Sequence, residues 1–136
     1  VALALGDLVL AEQHYQATLK VCRQKGDGDN LNQGWTGLAE VALLRGEIDK
    51  ASQFVDNIMP DLLNGNLIGA DIFRTCWVCY RVLAKVDVTE ADVVLALAFT
   101  KLHEQAKHLD AKAQQLFFEG VELHKALIAA AQERLP

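Results

Sequence analysis

Proline, cysteine and positive charge are all scarce in this sequence, and each shortage excludes something. Two prolines, Pro60 and Pro136, among 136 residues leave long stretches free to be helical, and the Ala- and Leu-rich remainder favours an all-α chain over a disordered one. Three cysteines, Cys22, Cys76 and Cys79, are too few and odd in number for a disulfide framework, which fits a reducing, cytoplasmic compartment. The longest strictly apolar run, Val93 to Phe99, is seven residues, against the roughly 20 needed to cross a bilayer. A net charge of -5 speaks against direct binding of nucleic acid, whose phosphates call for a basic stripe.

Catalytic signatures are missing as well. There is no G-x-x-x-x-G-K-[ST] phosphate loop, no G-x-S-x-G elbow and no H-E-x-x-H pair, so neither an enzyme nor a cofactor is expected. Asp27, Asp29 and Asn30 crowd one stretch, but Leu31 and the want of a late acidic ligand spoil a calcium loop, leaving a polar loop with a helix N-cap. His14, His103, His108 and His124 stand beside charged neighbours and read as parts of solvated helix faces. The opening VALALGD has no basic segment and no initiator Met, so it is not a secretory signal and reads as the cut edge of something longer.

What is present is a period. Ala11, Ala51 and Ala91 stand 40 residues apart, as do Leu8, Ile48 and Val88; Tyr15, Val55 and Leu95; Leu19, Met59 and Phe99; and Cys22, Leu62 and Leu102. Within each unit these residues are separated by helical steps of three or four, at i, i+3, i+7, i+11 and i+14, which puts them on one stripe of an amphipathic helix. A further helical stretch precedes the second and third of these helices, with Trp35, Leu38, Ala39 and Ala42 buried in one and Thr75, Val78, Cys79 and Val82 in the other. Asp29 or Asn30, Asp71, Thr89 and Asp110 are the expected N-caps, Thr89 forming a box with Asp92. Gly6 and Gly46 share a column with Val86, and a β-branched residue is poor in a left-handed turn, so the third turn is expected to be built differently. The segments 24–33 and 62–71 read as long loops between units.

A helix, a turn and a second helix cannot bury their apolar face alone and must stack on copies of themselves. In its Trp35, Leu38, Ala39, Gly46 and Ala51 the segment GWTGLAEVALLRGEIDKA resembles the tetratricopeptide repeat, and the tail QQLFFEGVELHKALIAA resembles the closing segment of large bacterial ATPase-linked transcriptional and signalling regulators. The resemblance implies one domain: a right-handed α-solenoid of antiparallel helix pairs. Residues 1–26 would be the second helix of a truncated first repeat, 29–66 and 67–108 two further repeats, and 110–136 a capping helix. If the first unit lacks its partner helix, the stripe of Leu8, Ala11, Tyr15 and Leu19 would stand partly uncovered and invite homodimerisation.

Such arrays bind a peptide or partner domain on the concave face made by their first helices. By the register, that face would be lined by Gln33, Thr36, Glu40 and Leu43 and by Phe73, Cys76, Trp77 and Tyr80. The aromatic members can anchor a partner or pack under the next helix. The residues with which chaperone-tail-binding members clamp a terminal carboxylate are not matched, since Thr36 and Glu40 stand in their place.

The spacing of Cys76 and Cys79 raises a different class of function, a metal, thiol-redox or small-molecule sensor. A redox C-x-x-C places its first thiol at a helix N-terminus, where the dipole lowers the pKa, whereas both thiols here fall mid-helix. A zinc site needs four ligands, and His103 and His108, five apart, do not share a helix face. The register instead makes Cys79 the counterpart of Ala39, a small packing residue, and Cys76 the counterpart of Thr36, on the side expected to be more exposed.

Overall fold

A computed structural model describes residues 5–26, 28–65, 67 and 72–135. Among them are seven helices and no strand: α1 (Leu5–Lys25), α2 (Gly28–Leu44), α3 (Ile48–Leu63), α4 (Ile72–Val86), α5 (Val88–Ala106), α6 (Ala111–Glu119) and α7 (Glu122–Arg134). No helix among the described residues is long and apolar enough to cross a membrane.

The apolar columns account for the core. Cys22, Leu62 and Leu102 are all buried, as are Val55 and Leu95, Ala51 and Ala91, with Tyr15 and Ala11 half-buried in the same columns. The column of Leu8, Ile48 and Val88 loses burial along the chain, from Leu8 buried to Val88 about half exposed. Leu38, Ala39 and Ala42 of α2 and Thr75, Val78, Cys79 and Val82 of α4 are buried, and Trp35 is half-buried against the same core. Helix α1 packs on α2, α2 on α3 and α4 on α5. Helix α4 also rests on α2 and α3, and α7 rests on α4 and α5, while α6 touches chiefly α7.

Two glycines let α1 approach α2. A Cβ on Gly37 would fall 2.3 Å from the Tyr15 ring, and one on Gly34 would fall 2.8 Å from the Leu19 side chain. Of the stripe expected to be partly uncovered, Leu8 and Leu19 are buried while Ala11 and Tyr15 are half-buried, and among the described residues the exposed large apolar side chains of α1 are Val9, Leu10 and Val21.

The two interhelical turns differ as anticipated. Helix α2 ends with Gly46 at φ +77, whose N–H bonds the Leu43 carbonyl while the Glu47 N–H reaches back to Ala42, the paired bonds of a Schellman motif. Helix α4 instead runs on through Val86. The Asp87 N–H bonds the Leu83 carbonyl, and its carboxylate accepts from the Glu90 N–H, so one residue ends α4 and caps α5.

Other local expectations require correction. Thr89 lies inside α5, and the cap is Asp87; Asp110 caps α6 as expected, accepting from the Ala113 N–H. Asp71 and Asp27 lie outside the described residues, whereas Asp29 and Asn30 fall inside α2, which occupies most of the supposed loop 24–33. The helix starts early because its first turns have tertiary partners, the Asn32 amide donating to the Asp61 carboxylate of α3 at 2.9 Å, and Gly26 at φ +69 makes the turn before it. The single terminal helix expected past Asp110 is two helices. Helix α6 stops at Gly120, where a Cβ would sit 2.6 Å from the Leu116 carbonyl oxygen, and α7 restarts after Val121. The α6–α7 corner is held by His124, whose Nδ1 lies 2.9 Å from the Phe117 carbonyl, and Arg134 fastens α7 to Asp92 of α5 through Nε and Nη2 at 3.2 and 3.3 Å.

Candidate interaction face

The eight residues assigned from the register divide by burial. From α2, Gln33, Glu40 and Leu43 are half-buried, but Thr36 is buried. Its hydroxyl donates to the Asn32 carbonyl at 2.7 Å and lies 3.3 Å from the Thr75 hydroxyl of α4. The column of Thr36 therefore faces the next helix, and the same holds for burial at its counterpart: Cys76 is fully buried, not exposed as expected. Phe73 is buried too, its ring edge-on to His124 of α7 with centroids 4.9 Å apart. Trp77 and Tyr80 remain half-buried and stack on each other, centroids 5.7 Å apart and planes 25° from parallel.

Around these two rings the structure gathers charges that the register did not single out. Arg74 of α4 donates through Nη2 to Tyr15 Oη of α1 at 3.2 Å and to Glu40 Oε1 of α2 at 3.3 Å. Arg81 Nη1 lies 3.7 Å from the other Glu40 oxygen. Arg74, Trp77 and Arg81 follow at i, i+3 and i+7, so they share one face of α4. That spacing is visible in the sequence, but isolated arginines on a helix default to solvent and carry no signal of a site.

The thiol pair has a different character. Cys76 and Cys79 are free thiols wholly inside α4. Burial pushes Cys76 up to about 12, opposed only in part by Lys101, and burial together with the neighbouring Cys76 raises Cys79 further still. A redox or metal-binding cysteine needs its thiolate at neutral pH, and this environment works against it. Among the described residues, no three His, Cys, Asp or Glu side chains converge as a metal site requires.

Of the histidines, His14, His103 and His108 are exposed as expected, and His124 departs from the solvated reading. His124 is half-buried between Phe73 and Phe117, and His103, although exposed, has ring neighbours in Phe99 and Phe118 at 4.4 and 5.0 Å. The latter three line an open cleft of about 490 Å³ bounded by α5, α6 and α7. A second cleft, of about 470 Å³, lies between α1, α2 and α3 beside Leu19, Leu38 and Phe54. Comparison of the chain with protein-family models, with curated proteins and with solved structures found no match.

Proposed function

We propose that this chain is a non-enzymatic, tetratricopeptide-like interaction module, part of a larger bacterial transcriptional or signalling regulator in the cytoplasm. The observation that carries the reading is a recurrence of neighbours: α4 rests on both α2 and α3, and α7 rests on both α4 and α5. Stacked helix pairs related by such a step form a solenoid, right-handed on this reading, in which each unit covers the apolar face of the one before. On this reading α1 is the second helix of an incomplete unit, α2/α3 and α4/α5 are two full units, and α6 and α7 close the array. The partner, a peptide or a domain of another protein, lies along the first helices on Gln33, Glu40, Leu43, Trp77 and Tyr80. Its occupancy biases an effector domain attached to the same chain. Self-association through α1 would rely on Val9, Leu10 and Val21.

The sensor reading finds less support, because the Cys76 and Cys79 thiols are buried and held protonated. Selection of a displayed peptide library on the wild-type protein and on Trp77→Ala tests the interaction reading. Peptides enriched on the wild type and lost on the folded variant are expected. No enrichment, or enrichment indifferent to the substitution, would count against it.

A further inference from the structure

Resting on that interaction face, the charge arrangement specifies its partner more closely. Glu40 supplies the one carboxylate paired with Arg81 among the described residues, and it shares that carboxylate with Arg74. Its contacts, 3.3 and 3.7 Å, are longer than the roughly 2.7–2.9 Å of a well-made charge-assisted bond. Two guanidinium groups with five donors each are thus served by one stretched acid. All three side chains are about 30% exposed, so a ligand can reach them. Trp77 lies between the two arginines and stacks on Tyr80, giving an apolar platform beside unspent positive charge. Trp, Tyr and Arg are the residue types that dominate binding hot spots.

We propose that the Arg74–Trp77–Arg81 face of α4 receives an acidic segment of a partner protein, and that Glu40 stands in for the partner's carboxylate while the face is empty. The partner's Asp or Glu takes over Arg81, the more weakly held of the two, and an adjacent apolar side chain covers Trp77. Arg74 stays tied to Tyr15 and keeps α1 in place. The chain as a whole carries a charge of -5, so an acidic ligand is repelled elsewhere and admitted at this point, which sets its register. The same net charge disfavours a nucleic-acid strand, which needs neutralisation along its length.

The test follows the Trp77 indole N–H in nuclear magnetic resonance spectra as peptide is added. The probe is an acetylated, amidated peptide with two Glu flanking a Leu; its Gln counterpart and a single-stranded oligonucleotide serve as comparators. The acidic peptide is expected to bind at least about fivefold more tightly than the Gln version. Arg81→Ala should weaken it by a similar factor, and Glu40→Gln should tighten it by up to about fivefold, since the internal competitor is gone. A gain on losing Glu40 is a signature that a purely structural ion pair does not produce. Equal binding of the two peptides at Trp77 would leave the peptide face intact and overturn its acidic specificity. No Trp77 shift with either peptide would overturn both readings, and a shift with the oligonucleotide alone would assign the face to phosphates instead.

Discussion

The hairpins α2/α3 and α4/α5 bury the same columns yet join their helices by different chemistry. In both, the second helix starts at the same register, Ile48 and Val88, and is preceded by an acid, Glu47 and Asp87. In the first hairpin the chain leaves the helix at Leu44 and turns on Gly46 in the left-handed region. In the second it keeps helical bonds through Val86 and lets Asp87 do both terminal jobs. The packing register is thus independent of how the turn is made, because the buried stripes fix the relative position of the helices and the turn has only to span the gap.

If packing sets the register, removing the same column from either hairpin must cost about the same. Leu62 and Leu102 are both fully buried. Leu62→Ala and Leu102→Ala are each expected to lose about 2–5 kcal/mol, by the methylenes removed and the cavity left behind. Urea unfolding of the two variants gives the values. A loss below about 1 kcal/mol in one hairpin and a full loss in the other would show that only one of them depends on that column.

A smaller effect separates the first helices. Where α2 has Thr36 and Ala39, α4 has Cys76 and Cys79, and both thiols bind their protons more tightly in the fold than in the unfolded chain. Below the unfolded thiol's pKa of about 8.5, both states hold the proton and stability is indifferent to pH. Above it the unfolded chain loses protons that the fold retains, so stability falls, by up to about 1.4 kcal/mol per pH unit for each thiol. The decline from Cys76 continues until the folded thiol titrates, near about 12. Giving α4 the residues of α2, Cys76→Thr with Cys79→Ala, should flatten this alkaline slope. Denaturation midpoints at pH 8, 9 and 10 decide it, and an unchanged slope in the double variant would mean that other groups cause the decline.

The comparison also shows which parts of the molecule were legible in the sequence. The buried columns were, because a helical stripe is written in local spacing: Ala51, Val55 and Leu62 and their counterparts Ala91, Leu95 and Leu102 are all buried. The altered turn at Val86 was legible for the same reason, since the left-handed position excludes a β-branched side chain. The break at Gly120 was not. The apolar stripe runs on through it, and a single Gly costs a helix only about 1 kcal/mol, less than the tertiary contacts of Phe117 and His124 can redirect.

For the interaction face, register placed Glu40, Leu43, Trp77 and Tyr80 on the accessible side but could not tell that the column of Thr36 and Cys76 is closed. That depends on how closely successive helices approach. The pairing of Arg74 and Arg81 with Glu40 spans two helices and leaves no local pattern at all.

The smallest expected effects lie in the turns themselves, and they should cross over between hairpins. Nothing lies within 4 Å of a Cβ built on Gly46, so Gly46→Ala costs only the left-handed backbone conformation, about 1–2 kcal/mol. Val86 is helical and half-exposed, and Val86→Ala, which swaps a β-branched residue for the best helix former, should change stability by less than about 0.5 kcal/mol. The acids reverse the order. Asp87 accepts the Glu90 N–H, whereas Glu47 makes no side-chain capping bond, so Asp87→Ala should lose about 1 kcal/mol and Glu47→Ala nearly nothing. Thermal unfolding of the four single variants resolves the pattern. Equal losses at Glu47 and Asp87 would mean that the cap contributes little beyond its charge at the helix N-terminus, and the two turns would then be energetic equivalents despite their different hydrogen bonds.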